Sequence, residues 1–269
     1  MSAVDALARA AQQNLAVHMG WVQARTPGML VRDTDDLLLA DCGLDTDTFS
    51  SMCRARIAPE HLDARVAEAV GHFEAAGRPF SWWVGLADEP PELGAALERA
   101  GLVRAETELA MAADLTSIEA PPLPDGLRIE RARTAEAIAA FARVNAANWS
   151  PPDQAVIEFY RRATPVLLAR DARLRLYVGY LDGEPVATAE ATMGGGVVGL
   201  YNISTLARSR RRGIGTALTV APLLDARAEG VGTAVLQASQ DGQGVYRRIG
   251  FRATGTYTEY QPPRSNRSG

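Results

Sequence analysis

The sequence predicts an α/β protein with mixed sheets, organised as two tandem domains, each a mainly antiparallel sheet flanked by helices. Three observations carry this. The stretch "TSIEAPPLPDG", Thr116 to Gly126, has three prolines and no hydrophobic period, so it reads as a linker. The part after it alternates as β-α-α-β-β-β-α-β-α-β. The part before it ends on a strand, loop, short helix and strand that resemble the chain's own C-terminal end. The expected division is 1–115, a linker over 116–125, a second domain over 126–261 and a flexible tail over 262–269.

Composition narrows the function classes. A chain of 269 residues that is 47% apolar and 22% charged is an ordinary globular protein. It has enough core that no disulfide or metal staple is needed. A net charge of −4 argues against general nucleic-acid binding. All 28 basic residues are arginine, which excludes a Schiff-base lysine and any phosphate loop that depends on lysine. The gap of ~10 residues between Cys42 and Cys53 fits neither a zinc pair nor a CxxC motif. They read as reduced, mostly buried thiols, with a bridge between neighbouring strands as the alternative. The N-terminus lacks the pattern of an export signal, and no run approaches the ~18 apolar residues of a membrane span. The reading is a cytoplasmic protein with no membrane or nucleic-acid partner.

The elements follow in order. In the first part, "PEHLDARVAEAVGHFEAAGRP" is a helix, "FSWWVGL" a strand, "PPELGAALERAGL" a helix and "VRAETELAMAADL" a strand. Trp82 and Trp83 point to opposite faces, so one of them can reach a domain interface. In the second part, "LRIERAR" is a strand, and the helix after it is capped by Thr134 with Glu136 in its first turn. Pro151 and Pro152 are expected in the first turn of the next helix. A hairpin runs from Leu174 to Tyr180, turns at Asp182-Gly183 and returns from Val186 to Met193. A strand over about Val197 to Thr205 leads to "ARSRRRGIGTAL" and a helix kinked by Pro222 and closed by Gly230. "TAVLQAS", "GQGVYRRIG" and "FRATGTYTEY" complete the chain as strand, helix and strand. The crossover through the arginine-glycine helix puts parallel pairing in the middle of a mixed sheet.

The arginine-glycine stretch joins a strand to a helix. The first N–H groups of a helix lack intrahelical partners and carry partial positive charge, and glycine lets a ligand approach them. Arginine adds donors shaped for phosphate. A Walker-type loop fails for want of lysine. The dinucleotide fingerprint fails because Leu218 stands where a third glycine is needed, and no βαβ unit is expected to start at this strand.

The remaining pattern, Arg210-Arg211-Arg212-Gly213-Ile214-Gly215 between strand and helix, resembles the pyrophosphate loop of the GNAT acetyltransferase superfamily. One helix and one strand later, Tyr246-Arg247-Arg248-Ile249-Gly250-Phe251 resembles that family's later motif. The resemblance covers about 126 to 260; the first part resembles a degenerate GNAT domain more weakly. It implies acetyl-CoA as acyl donor and transfer by direct attack on the amine of a small molecule in a ternary complex. It implies that N–H groups from Arg211 through Ile214 to Thr216, with Arg210, hold the pyrophosphate. Ile203 and Thr205 would pair with the pantetheine arm, and Ser239 stands where the family often has a cofactor-contacting asparagine. Tyr246 would protonate the leaving thiolate.

The base is not given by the resemblance. Gly199 stands where some members have a glutamate, and no histidine follows His72. Glu190, a carboxylate in an apolar strand, is the candidate base if it faces the cleft with a raised pKa; the competing reading puts it on the solvent side. Tyr201 or Asn202 could order a water relay instead. Trp149 and Tyr160 are acceptor-pocket candidates that equally suit a core. The alternative function is a non-catalytic acyl-CoA-binding or regulatory protein, with cell-wall aminoacyl transfer a more distant one. A monomer or homodimer fits either.

Overall fold

The computed structural model describes residues 2–263. Of the expected tail, 264–269 lies outside the described residues.

The chain opens with helix α1 (Ala3–Gly20), started by a reciprocal capping box between Ser2 and Asp5. Strands β1 (Leu30–Asp33), β2 (Leu38–Asp41) and β3 (Ser51–Cys53) follow, then α2 (Leu62–Ala76), β4 (Ser81–Val84), α3 (Leu93–Arg99) and β5 (Val103–Asp114). The second half is β6 (Leu127–Arg131), α4 (Ala135–Ala146), α5 (Gln154–Leu167), β7 (Leu174–Leu181), β8 (Glu184–Gly194), β9 (Val197–Thr205), α6 (Ile214–Ala228), β10 (Thr233–Ala238), α7 (Gln243–Ile249) and β11 (Arg252–Gln261). This is the expected succession. Thr134 caps α4 through its hydroxyl, as its position predicts. The prolines differ: Pro151 and Pro152 precede α5, because Asp153 accepts from the Ala155 N–H at 2.7 Å and is the N-cap. Cys42 and Cys53 are buried free thiols.

All strands join one sheet, in the order β1-β2-β3-β4-β11-β5-β10-β9-β8-β7-β6. The repeated segments occupy matching places. β3 and β4 pair in parallel across α2, as β9 and β10 do across α6. β9, α6 and β10 therefore form the expected parallel crossover. Since this is a βαβ unit starting at β9, that ground against the dinucleotide alternative falls and it fails on Leu218 alone. Each half ends by lending a strand. β11 inserts between β4 and β5, and β5 inserts between β11 and β10.

The cores follow the exchange. Tyr260 of β11 is buried with Trp82, Phe73 and Leu97 of the first half. Met111 and Ala113 of β5, with Leu115 just before the linker and Ile118 in it, are buried in the core of the second half. The linker is held there by Arg227 of α6, which donates to the Leu115 and Ile118 carbonyls. Helix α1 packs against β8 and β9 on one side and β2 and β3 on the other, so a first-half helix lies over the second half's central strands.

Candidate active site

The parallel ladder between β9 and β10 ends at Leu200 and Leu236. Beyond it the two strands diverge, leaving the β9 edge from Tyr201 to Thr205 without a partner on that side. A bulge helps the divergence: three residues of β8, Thr188 to Glu190, face four of β9, Ser204 to Tyr201. Asn202 sits in it with φ +50°. The cleft so formed, about 670 Å³, is lined by Ile203, Ser239 and Tyr246 among others.

At the end of β9 the chain enters the arginine loop. Arg210 turns back and donates from Nε to the Thr205 carbonyl at 2.9 Å. Arg211 (φ +59°) and Gly213 (φ +78°) take left-handed conformations, and Gly213 is the N-cap of α6 with no side chain bonded to the helix start. The first N–H groups of the helix are thus left for a ligand. Ile214 offers only its N–H, since its side chain is in the core. A Cβ built on Gly215 meets nothing closer than Thr205 Oγ1 at 3.6 Å, so the protein's own packing does not require glycine there. The loop fits an anion that approaches the backbone closely.

Tyr246 lies on α7 with its ring against Gly242, where any Cβ would stand 2.9 Å from the ring. Burial, with Glu108 beside it, pushes its phenol up to about 12, so it keeps its proton through the neutral range.

Glu190 is not on the solvent side. It is buried in β8 and accepts from His18 Nδ1 at 2.7 Å, Thr192 Oγ1 at 2.8 Å and Asn202 Nδ2 at 2.9 Å. Nor is its pKa raised. Burial pushes it up, but the charge of His18 and the three hydrogen bonds outweigh that and hold the carboxyl below its ordinary value. Glu190 is therefore an ionised acceptor, which places the hydrogen on His18 Nδ1 and leaves Nε2 with a free lone pair in the neutral ring. The imidazole stacks on Tyr201, with centroids 3.8 Å apart and planes 2° from parallel. Tyr201 donates to Asn14 Oδ1 at 2.8 Å, and Asn14 Nδ2 donates to the carbonyls of Thr192, Gly194 and Val197. One turn of α1, Asn14 and His18, is thereby locked to the second half.

Sequence reasoning missed His18 because it searched the second half alone. It also missed Glu108 of β5. Both line the cleft and a second, open-mouthed cavity of about 720 Å³ on its other side. Tyr201 and Gln237 are shared too, so the two spaces meet at these four residues. The second cavity continues past Phe49, Trp83, Phe159 and Tyr160. Trp83 is the interface tryptophan and Trp82 the core one. Tyr160 faces the cavity, whereas Trp149 is exposed and belongs to neither core nor cavity.

Glu108 has the opposite electrostatics to Glu190. Burial, then Glu106 and Glu259, pushes its carboxyl up to about 7 from an ordinary 4.5. A carboxyl raised on folding destabilises the folded state once both forms are ionised. That cost is relieved as pH falls through 7 towards 4.5. Glu108→Gln is expected to raise Tm at pH 8, by roughly 2–4 °C for each kcal/mol relieved, with the gain vanishing at pH 4. An equal gain at both pH values would contradict the shift.

Residues 123–241 match the model of the acetyltransferase (GNAT) domain. This segment, under half of the chain, is similar to a GNAT domain. The match includes the arginine loop and stops before Tyr246. The whole fold is similar to a GCN5-related N-acetyltransferase from Kribbella flavida, at TM-score 0.71 and 21% identity over 97% of this chain and 96% of that one. It is also similar to a tandem GNAT protein from the clavulanic acid biosynthesis pathway, at TM-score 0.62 and 16% identity over 96% and 94%. A GCN5-related N-acetyltransferase from Sphaerobacter thermophilus follows at TM-score 0.57 and 16% identity over 95% and 91%. At these identities the likeness is one of fold, and it spans both halves of the chain. No curated protein matches the chain. Among the described residues, no helix is long and apolar enough to cross a membrane.

Proposed function

We propose that the protein transfers an acetyl group from acetyl-CoA to the amine of a small molecule, with the GNAT domain holding the donor and α1 and β5 completing the acceptor side. The observation that carries this is the His18–Glu190 pair at the junction of cleft and cavity. A nucleophilic amine must first lose the proton of its ammonium form, and the fold brings an oriented imidazole to the one place where both spaces meet.

Acetyl-CoA supplies an acyl carbon bound to sulfur, and its transfer forms a C–N bond and releases a thiol. Arg210, Arg211, Arg212, the start of α6 and the glycines hold the pyrophosphate, and the open β9 edge at Ile203 and Thr205 receives the pantetheine amides. His18 Nε2 takes the ammonium proton, with Glu190 stabilising the imidazolium that forms. Tyr246 gives its phenolic proton to the leaving sulfur and is restored by the second proton that nitrogen loses on becoming an amide. One proton in total leaves through His18. Glu190 thus acts by positioning His18 rather than as the base.

Calorimetric titration with acetyl-CoA and thiol release with an amine panel test the reading. Gly215→Asp is expected to fold normally, since an acidic residue in the first helical turn is favourable, yet to lose acetyl-CoA binding. Retained affinity removes the pyrophosphate assignment. Tyr246→Phe is expected to lower turnover with near-normal donor affinity; unaltered turnover takes Tyr246 out of the chemistry. Donor binding with no thiol release from any amine would favour a regulatory module.

A further inference from the structure

The acceptor cavity is walled by apolar and aromatic groups. Phe49 and Phe159 stack with centroids 3.7 Å apart, and each meets Tyr160 edge-on. The charged residues on its lining are His18, Glu190 and Glu108, and no arginine among the described residues lines it. An acceptor carboxylate or phosphate would find no cation apart from the His18 imidazole already paired to Glu190. An ammonium, by contrast, meets aromatic faces and two carboxyl groups, the ionised Glu190 and Glu108, whose ionisation a bound cation would favour.

Two residues of this wall carry a buried polar atom without a partner, Gln237 (Nε2), which is shared with the cleft, and Gln23 (Oε1), which lines this cavity alone. Gln23 lines the cavity and is 3% exposed; its Nε2 donates to the Phe49 carbonyl at 3.3 Å, while its Oε1 is buried without a partner. A buried acceptor with no donor costs ~1–3 kcal/mol, so its orientation is explained if a bound molecule supplies the donor. Gln23 lies five residues beyond His18 on a continuous right-handed track through Trp21 and Val22. At ~1.5 Å rise per residue, this sets it roughly 7–8 Å further along.

We propose that the acceptor is a lipophilic amine without an anionic group, carrying one hydroxyl or N–H donor at the far end from its nitrogen, which bonds Gln23 Oε1. This rests on the acetyltransferase reading and narrows it: amino acids and polyhydroxylated sugars are excluded as good acceptors. An apolar wall gives the latter too few partners and leaves their hydroxyls unpaired.

The test compares tyramine, phenethylamine, tyrosine and glucosamine as acceptors for the full-length protein with acetyl-CoA. Tyramine is expected to exceed phenethylamine in kcat/KM by about tenfold, the value of one net hydrogen bond, with tyrosine and glucosamine poor. Gln23→Met is expected to bring tyramine and phenethylamine to the same kcat/KM. Equal rates for the two in the wild type, or preference for tyrosine or glucosamine, overturns the proposal while leaving acetyl transfer standing. If no amine releases thiol, calorimetry of each amine against the protein with coenzyme A decides separately. Tighter binding of tyramine than phenethylamine, lost in Gln23→Met, upholds the acceptor site although the transfer reading fails. No binding of either amine overturns both.

Discussion

Replacing His18 with glutamine is expected to lower kcat by ~10²–10⁴-fold, the usual contribution of a positioned proton-transfer group, with acetyl-CoA affinity near wild type. Glutamine keeps a donor for Glu190, so the buried carboxylate is not stranded, but it has no nitrogen that can take a proton. The acid limb of the kcat/KM profile, where the base gains its proton, should disappear with it. Unchanged turnover with an unchanged profile would falsify the role of His18. The pair also has a stability signature. Glu190 is held below its ordinary 4.5 in the fold, so its contribution is fully present above that value. It is lost as pH falls through the lower folded value. A His18→Ala variant, which removes the donor as well, should unfold at higher pH on acid titration than His18→Gln.

The second expected result concerns the exchange of β5 and β11. Neither 1–120 nor 121–269 alone should show a cooperative thermal transition, whereas the two co-expressed should associate and recover donor binding. The second half without β5 and the start of the linker loses Met111, Leu115 and Ile118 from its core. At ~1.5–3 kcal/mol for each large apolar side chain buried, the three together rival the ~5–15 kcal/mol net stability of a whole domain. The edge of β10 that pairs with β5 would also be exposed, an invitation to aggregate. A soluble, cooperatively melting 121–269 fragment that binds acetyl-CoA would show instead that the exchange is dispensable. It would leave the first half to the acceptor side alone.

Much of the site is local in sequence and was legible there. The arginine loop combines a strand end, glycines and a helix start within one short run, so hydrogen-bonding geometry and φ preference suffice to read it as an anion cradle. Tyr246 is equally local, tied to Phe251 and Gly250 by a helix end. Element order was legible for the same reason: hydrophobic period, caps such as Thr134 and turn glycines act over a few residues. Where local signals competed, the outcome turned on one hydrogen bond, as when Asp153 rather than a proline began α5.

The acceptor side has no such signal. His18 looks like one polar residue near the end of an amphipathic helix, and Glu190 like a carboxylate in an apolar strand. The sequence by itself determined that an arginine-flanked glycine turn opens a helix and that a tyrosine lies on a short later helix in the second half, because each is assembled from neighbours. Only the tertiary structure decided that Glu190 is ionised, that His18 from the far end of the chain completes it, and that Glu108 and Gln23 share its cavity. Those pairings depend on which strands lie side by side and which helix crosses them. That is settled by core burial and strand exchange over the whole sheet rather than by the backbone preferences of any one segment.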